Sequence, residues 1–207
     1  LQAFRVRKDG KTFYPFLMDP DTLLKLAYVY RLNLDDPKGY QRDLKKSKLL
    51  KINDFLGDER NVFANNLVVC FDKEVTFESK NGDPASASSN IEFGTIHVPK
   101  FYCSAEVVDG QHRLYGYLDA TEKKDYEEIL AKRRKDDRLN VVAINDPTEA
   151  ERIALFVDIN SNQTRIDPKQ IWHLLGEIRP DAVIGYISNI VDGLNRVGVF
   201  KNKIYIP

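Results

Sequence analysis

The stretch VVDGQHRLYGYLDA, residues 107–120, places an acid, a glycine, an amide, an imidazole and a guanidinium in succession where a strand is predicted to turn into a helix. Gly110 allows backbone conformations and a close approach of ligands that a side chain would hinder. The amides that follow it are the unpaired donors of a helix N-terminus, which favour anions. Arg113 adds a planar, permanently charged fork that suits phosphate. The stretch therefore predicts a cradle for a phosphate group.

Three further side chains define the chemistry of that cradle. His112 can donate a hydrogen bond to the same anion or transfer a proton, and Gln111 is a neutral donor and acceptor. Asp109 can hold a metal ion, orient Arg113 or cap the helix. A capped helix that carries exposed polar residues accounts for the pattern equally well, because short glycine-centred patterns are weak signals.

A second polar cluster lies in FVDINSNQTRIDPKQI, residues 156–171, between two predicted helices. Its side chains can hydrogen-bond phosphate, sugar or metal-bound water. They are Asn160, Ser161, Asn162, Gln163 and Arg165. Capping and turn chemistry is the favoured interpretation of this loop taken alone, since Asn and Ser are common in loops.

Two basic runs are candidates for contacts with nucleic acid. In DDPKGYQRDLKKSK, residues 35–48, Arg42 can reach an anion, while the lysines favour a solvated surface over contacts with a DNA backbone. The segment AKRRKDDR lies in a predicted exposed helix, and its expected DNA contacts are Lys132, Arg133 and Arg134. The 31 basic and 31 acidic residues balance, which argues against strong non-specific binding by the chain as a whole.

Clear helix signals surround these candidates. Asp19 and Pro20 open a helix with an apolar stripe, and SKLLKINDFLGDE predicts a second helix that ends at Gly57. Asp146 is the predicted N-cap of a third helix, with Glu149 completing a capping box. Strands are predicted at NLVVCF, IEFGTIHVP, SAEVV and NVVAIN, with a surface loop or hairpin insertion over residues 72–90. The pattern predicts an α/β or α+β fold with a mixed sheet and a helical C-terminal third.

Composition limits the class of protein. A chain of 207 residues with 43% hydrophobic content suits one globular domain, or one domain with a small appendage. Cys70 and Cys103 lack metal-binding spacing, which predicts buried free thiols in a reducing, cytoplasmic setting. No stretch predicts a signal peptide or a membrane span. The first residue is Leu1 rather than Met, and a fragment of a longer protein is one interpretation that the sequence leaves open.

The motif DGQHR, with FVDIN and a loop containing Gln and Arg downstream, resembles the DGQHR-domain proteins. That group includes DndB, which is associated with bacterial DNA phosphorothioation, and a related protein of 7-deazaguanine DNA-modification clusters. More distantly, the chain is similar to the ParB/sulfiredoxin fold. The segments DPKGYQR, GQHR and NSNQTRIDP occur in the order of the ParB boxes, so that the resemblance spans residues 35–175.

The resemblance implies a site for a nucleoside triphosphate, with ATP expected, in a domain over residues 1–175 that a helical extension over residues 176–207 follows. The residues expected to bind phosphate are Gly110, Gln111, His112, Arg113, Asn160, Asn162, Gln163, Arg165 and Arg42. His112 and Asp109 are the expected catalytic residues. Mg²⁺ is expected on Asp109, with Asp158 as an alternative, because the ParB glutamate has no counterpart here. Gln111 replaces the sulfiredoxin cysteine, which excludes that thiol chemistry.

Three functions follow from these features. The first is a nucleotide-binding protein, either a switch or a slow Mg²⁺-dependent NTPase, that serves a bacterial DNA-modification system. The alternative is a DNA-binding transcriptional regulator without catalysis, as the DndB resemblance implies. The third is an interaction platform in which Arg113 is structural and pairs with Asp109. The expected partners are a nucleotide and DNA or the DNA-modification machinery, with a homodimer as a further expectation and no membrane.

Overall fold

Strands from both ends of the first 147 residues build one mixed sheet. The computed structural model describes residues 1–30, 41, 43–73, 75–80, 90–118, 125–161 and 181–201. The strands are β1 (Gln2–Lys8), β2 (Lys11–Met18), β3 (Ala27–Tyr28), β4 (Leu67–Phe71), β5 (Thr76–Ser79), β6 (Ile91–His97), β7 (Ala105–Asp109) and β8 (Leu139–Asn145). Their order is β3-β7-β4-β8-β2-β1-β6-β5, with β3 parallel to β7, β4 parallel to β8 and the other pairs antiparallel. The predicted mixed sheet is confirmed.

The helices that the structure describes fall into two compact units of the chain. One unit comprises Leu1–Leu34 with Gln41–Pro147, and the other comprises Asp35–Tyr40 with Thr148–Pro207. The first contains the sheet with α1 (Pro20–Leu26), α2 (Lys46–Gly57), α3 (Gln111–Tyr115) and α4 (Asp125–Asp136). The second contains α5 (Glu149–Ser161), α6 (Val183–Arg196) and a short 3-10 turn over Gly198–Phe200. Within the described ranges, no helix is long and apolar enough to cross a membrane.

The first unit is held together by apolar strands and by one face of each helix. The side chains of Leu67, Val107 and Ala143 on the adjacent strands β4, β7 and β8 are fully buried. Helix α3 packs against α1 and α2, and α4 packs against the same two helices. Each helix contributes apolar residues to this core, namely Leu23, Leu56, Leu114 and Leu130. The DGQHR motif therefore begins at the end of a buried strand and enters a helix that packs against α1 and α2.

Hydrogen bonds at two predicted helix starts confirm one prediction and correct the other. Asp19 caps α1 as predicted, because its Oδ1 accepts a hydrogen bond of 2.8 Å from the amide of Thr22. The predicted capping box of Asp146 and Glu149 is wrong. Thr148 and Glu151 form it instead: the Thr148 amide donates to Glu151 Oε2 at 2.9 Å and the Glu151 amide donates to Thr148 Oγ1 at 3.3 Å. The sequence contains this T-x-x-E box, but the Asp-Pro pair before it was the more conspicuous signal.

Other sequence expectations meet mixed outcomes. The insertion over residues 72–90 contains β5, which pairs antiparallel with β6, so the hairpin interpretation is confirmed. Both cysteines are free as predicted, but Cys103 is exposed, and only Cys70 is buried. The helix predicted to begin at Asp167 lies outside the described residues.

Gly94 of β6 is a position where the sheet leaves no room for a side chain. A Cβ atom there would lie 2.1 Å from the backbone oxygen of Glu78 and 2.6 Å from Cζ of Phe77. We therefore expect Gly94→Ala to reduce the free energy of unfolding by about 1–3 kcal/mol, as overpacking does, measured by urea denaturation.

Gly193→Ala is the matched control, because nothing lies within 4 Å of the added Cβ in α6. Its expected effect is a gain of about 0.5–1 kcal/mol from helix propensity. Equal effects of the two substitutions would contradict the packing described for β5 and β6.

Candidate functional site

Gly110 joins β7 to α3 in a left-handed conformation, with φ of +92°. A Cβ atom at this position would lie 2.8 Å from Cγ of Leu67 and 3.1 Å from Nη2 of Arg113. Glycine is thus required both by the backbone conformation and by the chain's own neighbouring side chains. The space that the sequence predicts for a ligand on this side of the turn is filled by Leu67 and Arg113.

Arg113 fastens the turn to the segment that leads into β4. Its Nη1 donates to the carbonyl of Asn65 at 2.8 Å, and its Nη2 donates to the carbonyl of Asn66 at 3.0 Å. Nη2 also donates to Oδ2 of Asp109 at 3.1 Å, and both side chains are largely buried, at 18% and 20% exposure. The sequence left three roles open for Asp109, which are metal binding, orientation of Arg113 and capping of the helix. In the structure Asp109 orients Arg113.

His112 closes the N-terminus of α2. The amide of Lys45, the N-cap residue of that helix, donates to Nε2 of His112 at 3.2 Å. The bond requires an unprotonated Nε2 and therefore a neutral ring with its proton on Nδ1. Burial lowers the pKa of His112, and the nearby charges of Lys48 and Lys45 lower it further. His112 is consequently a neutral acceptor at pH 7.

Two buried amides that the sequence did not single out attach neighbouring segments to this motif. Gln41, 1% exposed, donates to the carbonyl of Val107 in β7, two residues before Asp109. Asn53 of α2, fully buried, donates to the carbonyl of Gly116 at 2.5 Å, at the end of α3. Gln41, the glutamine of the first predicted box, therefore contacts the strand that carries DGQHR.

Only part of the predicted site lies within the described residues. Gln111 is half-buried at the first position of α3. Asn160 lies near the end of α5 in the other unit, where its Nδ2 donates to the carbonyl of Phe156 at 2.8 Å. The predicted residues outside the described part of the chain are Arg42, Asn162, Gln163 and Arg165. Their phosphate-binding roles, like the ParB-like arrangement of the three boxes, stay predictions.

The described residues do not supply a cluster suited to a resident metal ion. None of them forms a group of three or more His, Cys, Asp or Glu side chains that could hold one. Asp109, the predicted magnesium ligand, is already bonded to Arg113. The donor set within the described ranges therefore does not fit a protein-held Mg²⁺, and no chemical step is assigned to one here.

The basic run in α4 divides into buried and exposed side chains. Arg133 is 5% exposed, and its guanidinium donates to Asp137 and to three backbone carbonyls, those of Leu56, Asp58 and Asn61. These bonds direct the Arg133 side chain into the interior. Its predicted DNA contact therefore needs correction, because the helix buries one residue of this run. The neighbouring charges remain candidates: Lys132 pairs with Glu59 on the surface, and Arg134 is half-buried.

Arg113→Lys tests whether the guanidinium fork is a structural clamp. A lysine keeps the charge but cannot reach both carbonyls and Asp109 together, so we expect the free energy of unfolding to fall by about 2–3 kcal/mol. Arg138→Lys is the control, because Arg138 is exposed and donates only to carbonyls of residues 135–137. Urea denaturation of both variants gives the comparison, and a fully stable Arg113→Lys protein would refute the clamp.

His112→Ala tests the cap on α2 through its pH dependence. Because the pKa of His112 is lowered below 6.5 in the folded chain, its stabilising contribution is complete above pH 6.5 and is lost as the pH falls through the folded pKa. We expect the variant to be about 1 kcal/mol less stable than the native chain at pH 7.5, with the difference shrinking on acidification.

Denaturant midpoints between pH 7.5 and 5 provide the measurement. His97→Gln serves as the control, because His97 is exposed on β6 beside Glu78. A stability difference for His112→Ala that stays constant over this range would exclude the neutral-imidazole cap.

Comparison with known proteins identifies the family of this chain. A family model described as "DndB: DNA-sulfur modification-associated" matches residues 1–171. No curated protein and no solved structure gives a significant match. The match includes β1 to β8 and the whole DGQHR turn, and it accounts for 171 of the 207 residues. The chain therefore belongs to the DndB family, whose members are associated with DNA-sulfur modification.

Proposed function

We propose that the chain is a DNA-binding regulator within a DNA-sulfur modification system, and that it holds the phosphate backbone of DNA at the N-terminus of α2. Family membership supplies the association with DNA-sulfur modification. The proposal adds a ligand and a surface. It concerns binding without catalysis, because Asp109 and Arg113 bind one another and the Nε2 lone pair of His112 is occupied.

The observation that carries the proposal is the charge around the start of α2. Lys45, Lys46, Lys48 and Lys51 are exposed on this helix, and its first turn contains no acidic residue. Cations at the N-terminus oppose the helix dipole, so the arrangement is unfavourable for an isolated helix and favourable beside an anion. No side chain from the helix itself caps it, and His112 performs that task from α3.

The DGQHR turn and the lysines act as one local unit. The charges of Lys45 and Lys48 reach the ring of His112 strongly enough to depress its pKa. A phosphate group bound between these lysines would relieve their mutual repulsion and would leave the Arg113 clamp intact. The zero net charge of the chain confines such binding to local patches of this kind. A homodimer, as expected from the sequence, would present two of them.

A nucleoside triphosphate is the second candidate ligand for the same lysines. The observation that favours it is again the convergence of Lys45, Lys48 and the DGQHR turn, since the ParB resemblance assigns phosphate to that turn. In that case Mg²⁺ would arrive with the nucleotide and would neutralise part of the charge of its phosphates. Hydrolysis would remain slow, because the described part of the chain offers no unengaged general base at the turn.

Charge reversal at α2 tests the DNA proposal. We expect Lys45→Glu with Lys48→Glu to weaken binding of a short duplex by tenfold or more at about 50 mM salt, and to reduce the slope of log K against log salt by about two. Fluorescence anisotropy over a range of salt concentrations measures both quantities.

The matched control reverses two lysines elsewhere, Lys8→Glu with Lys11→Glu, which are exposed at the β1–β2 hairpin. Equal losses in the two double variants would show general electrostatics instead of a site at α2. Adding ATP with Mg²⁺ to the native chain gives the second arm. The nucleotide would be the ligand of this site if two results are obtained. The native chain would not bind DNA, and its thermal shift with ATP and Mg²⁺ would be lost in the α2 double variant.

A further inference from the structure

The segment Lys100–Cys103, between β6 and β7, holds two aromatic rings in solvent. Phe101 is 47% exposed and Tyr102 is 74% exposed. Aromatic side chains of this size are normally partly covered, and a polar surface around them marks a contact site for a ligand or partner. Strand β7, which follows this segment, leads into the DGQHR turn.

Hydrogen bonds hold the segment in one shape. The amide of Cys103 donates to the carbonyl of Lys25 at 3.3 Å, and Cys103 adopts a left-handed conformation with φ of +53°. Ser104 donates from its amide to the carbonyl of Leu26 at 2.8 Å and from its Oγ to the carbonyl of Phe101 at 3.0 Å. A non-glycine residue with positive φ persists only where the surroundings enforce it. The rings are therefore presented by a braced turn.

Cations surround the two rings. Nζ of Lys73 lies 5.2 Å from the centre of the Phe101 ring. Lys25 lies close enough to Tyr102 for the two to interact electrostatically. Lys100 is exposed immediately before Phe101. A base stacked on these rings would thus have its phosphate near several positive charges.

The charged surface continues to the end of α4. Asp21 bonds to Lys25 at 2.8 Å, and the charges of Arg134 and Lys135 also act on Asp21. Asp19 is the other acid that acts on Lys25. Asp72 is a further acid beside this segment, because its amide donates to the carbonyl of Ser104 at 3.2 Å. Arg134, one of the residues predicted to contact DNA, therefore lies near this surface.

We propose that Phe101 and Tyr102 form a stacking platform for unpaired bases of DNA, with Lys25, Lys73 and Lys100 beside the strand's phosphates. Exposed rings bordered by cations match a single strand, in which each base offers a flat apolar face next to a charged backbone. Duplex DNA conceals those faces. The inference shares with the proposed function only the choice of DNA as ligand, since it uses a different surface and a different part of the nucleic acid.

Tyr102→Ala separates base stacking from backbone binding. With a labelled single strand of about 20 nucleotides, we expect the variant to bind at least fivefold more weakly by fluorescence anisotropy, as loss of one stacked base predicts. Affinity for a duplex of the same sequence is expected to change less than twofold. Tyr102→Phe keeps the ring and is expected to restore single-strand binding.

Phe4→Ala is the matched control, because Phe4 is 48% exposed on β1, where it packs on Phe93. Circular dichroism and thermal unfolding confirm that each variant is folded. Unchanged single-strand affinity in Tyr102→Ala would overturn the platform, as would equal losses on both DNA forms. If Tyr102→Ala leaves single-strand affinity unchanged while Lys45→Glu with Lys48→Glu still weakens duplex binding, only the stacking platform is overturned. The reverse pattern would overturn only the proposed backbone site on α2.

Discussion

The guanidinium of Arg113 is the contact on which the centre of the first unit depends. It binds two consecutive carbonyls before β4 and the carboxylate at the end of β7, two strands that are themselves paired. These bonds hold the ends of both strands and the start of α3 in one arrangement. Gly110 is the residue that makes it possible, since any side chain there would displace Arg113 or Leu67. The ion pair is valuable here because it is largely buried and because the guanidinium also donates to two backbone carbonyls.

Helix α2 is held in place by contacts at both ends of α3. His112 accepts from the first amide of α2, while Asn53 reaches the carbonyl of Gly116 from the other direction. An imidazole acts as a cap only while it is neutral, and the lysines beside it favour that state. The lysines thus have two opposite effects on α2, since they oppose its dipole directly but maintain the cap that satisfies its first donor. An anion bound among them would reduce both effects, and burial would then be the main cause that keeps the imidazole neutral.

Local signals predicted much of the fold, and distant contacts account for most of what they missed. Asp19-Pro20 and Gly57 marked the ends of helices correctly because caps depend on a few adjacent residues. The capping box at Thr148 was missed only because an Asp-Pro pair competed with it. By contrast, the burial of Arg133 and the exposure of Cys103 depend on carbonyls more than 70 residues away in the chain. The candidate site was located by its motif, but the partners of Arg113 and His112 could not be predicted, since neither Asn65 nor Lys45 has a signal that points to them.

The DGQHR signature can therefore mark a constraint of the fold as much as a place for a ligand. Its aspartate, glycine, histidine and arginine are engaged by β4, α2 and one another. A motif whose side chains satisfy internal partners can be shared by proteins that bind different ligands, because the ligand is selected by residues around it. Under the proposed function, those residues are the exposed lysines of α2. The arginine that the sequence suggested for phosphate thus supports the turn, and the exposed lysines near His112 are the residues proposed to contact the ligand.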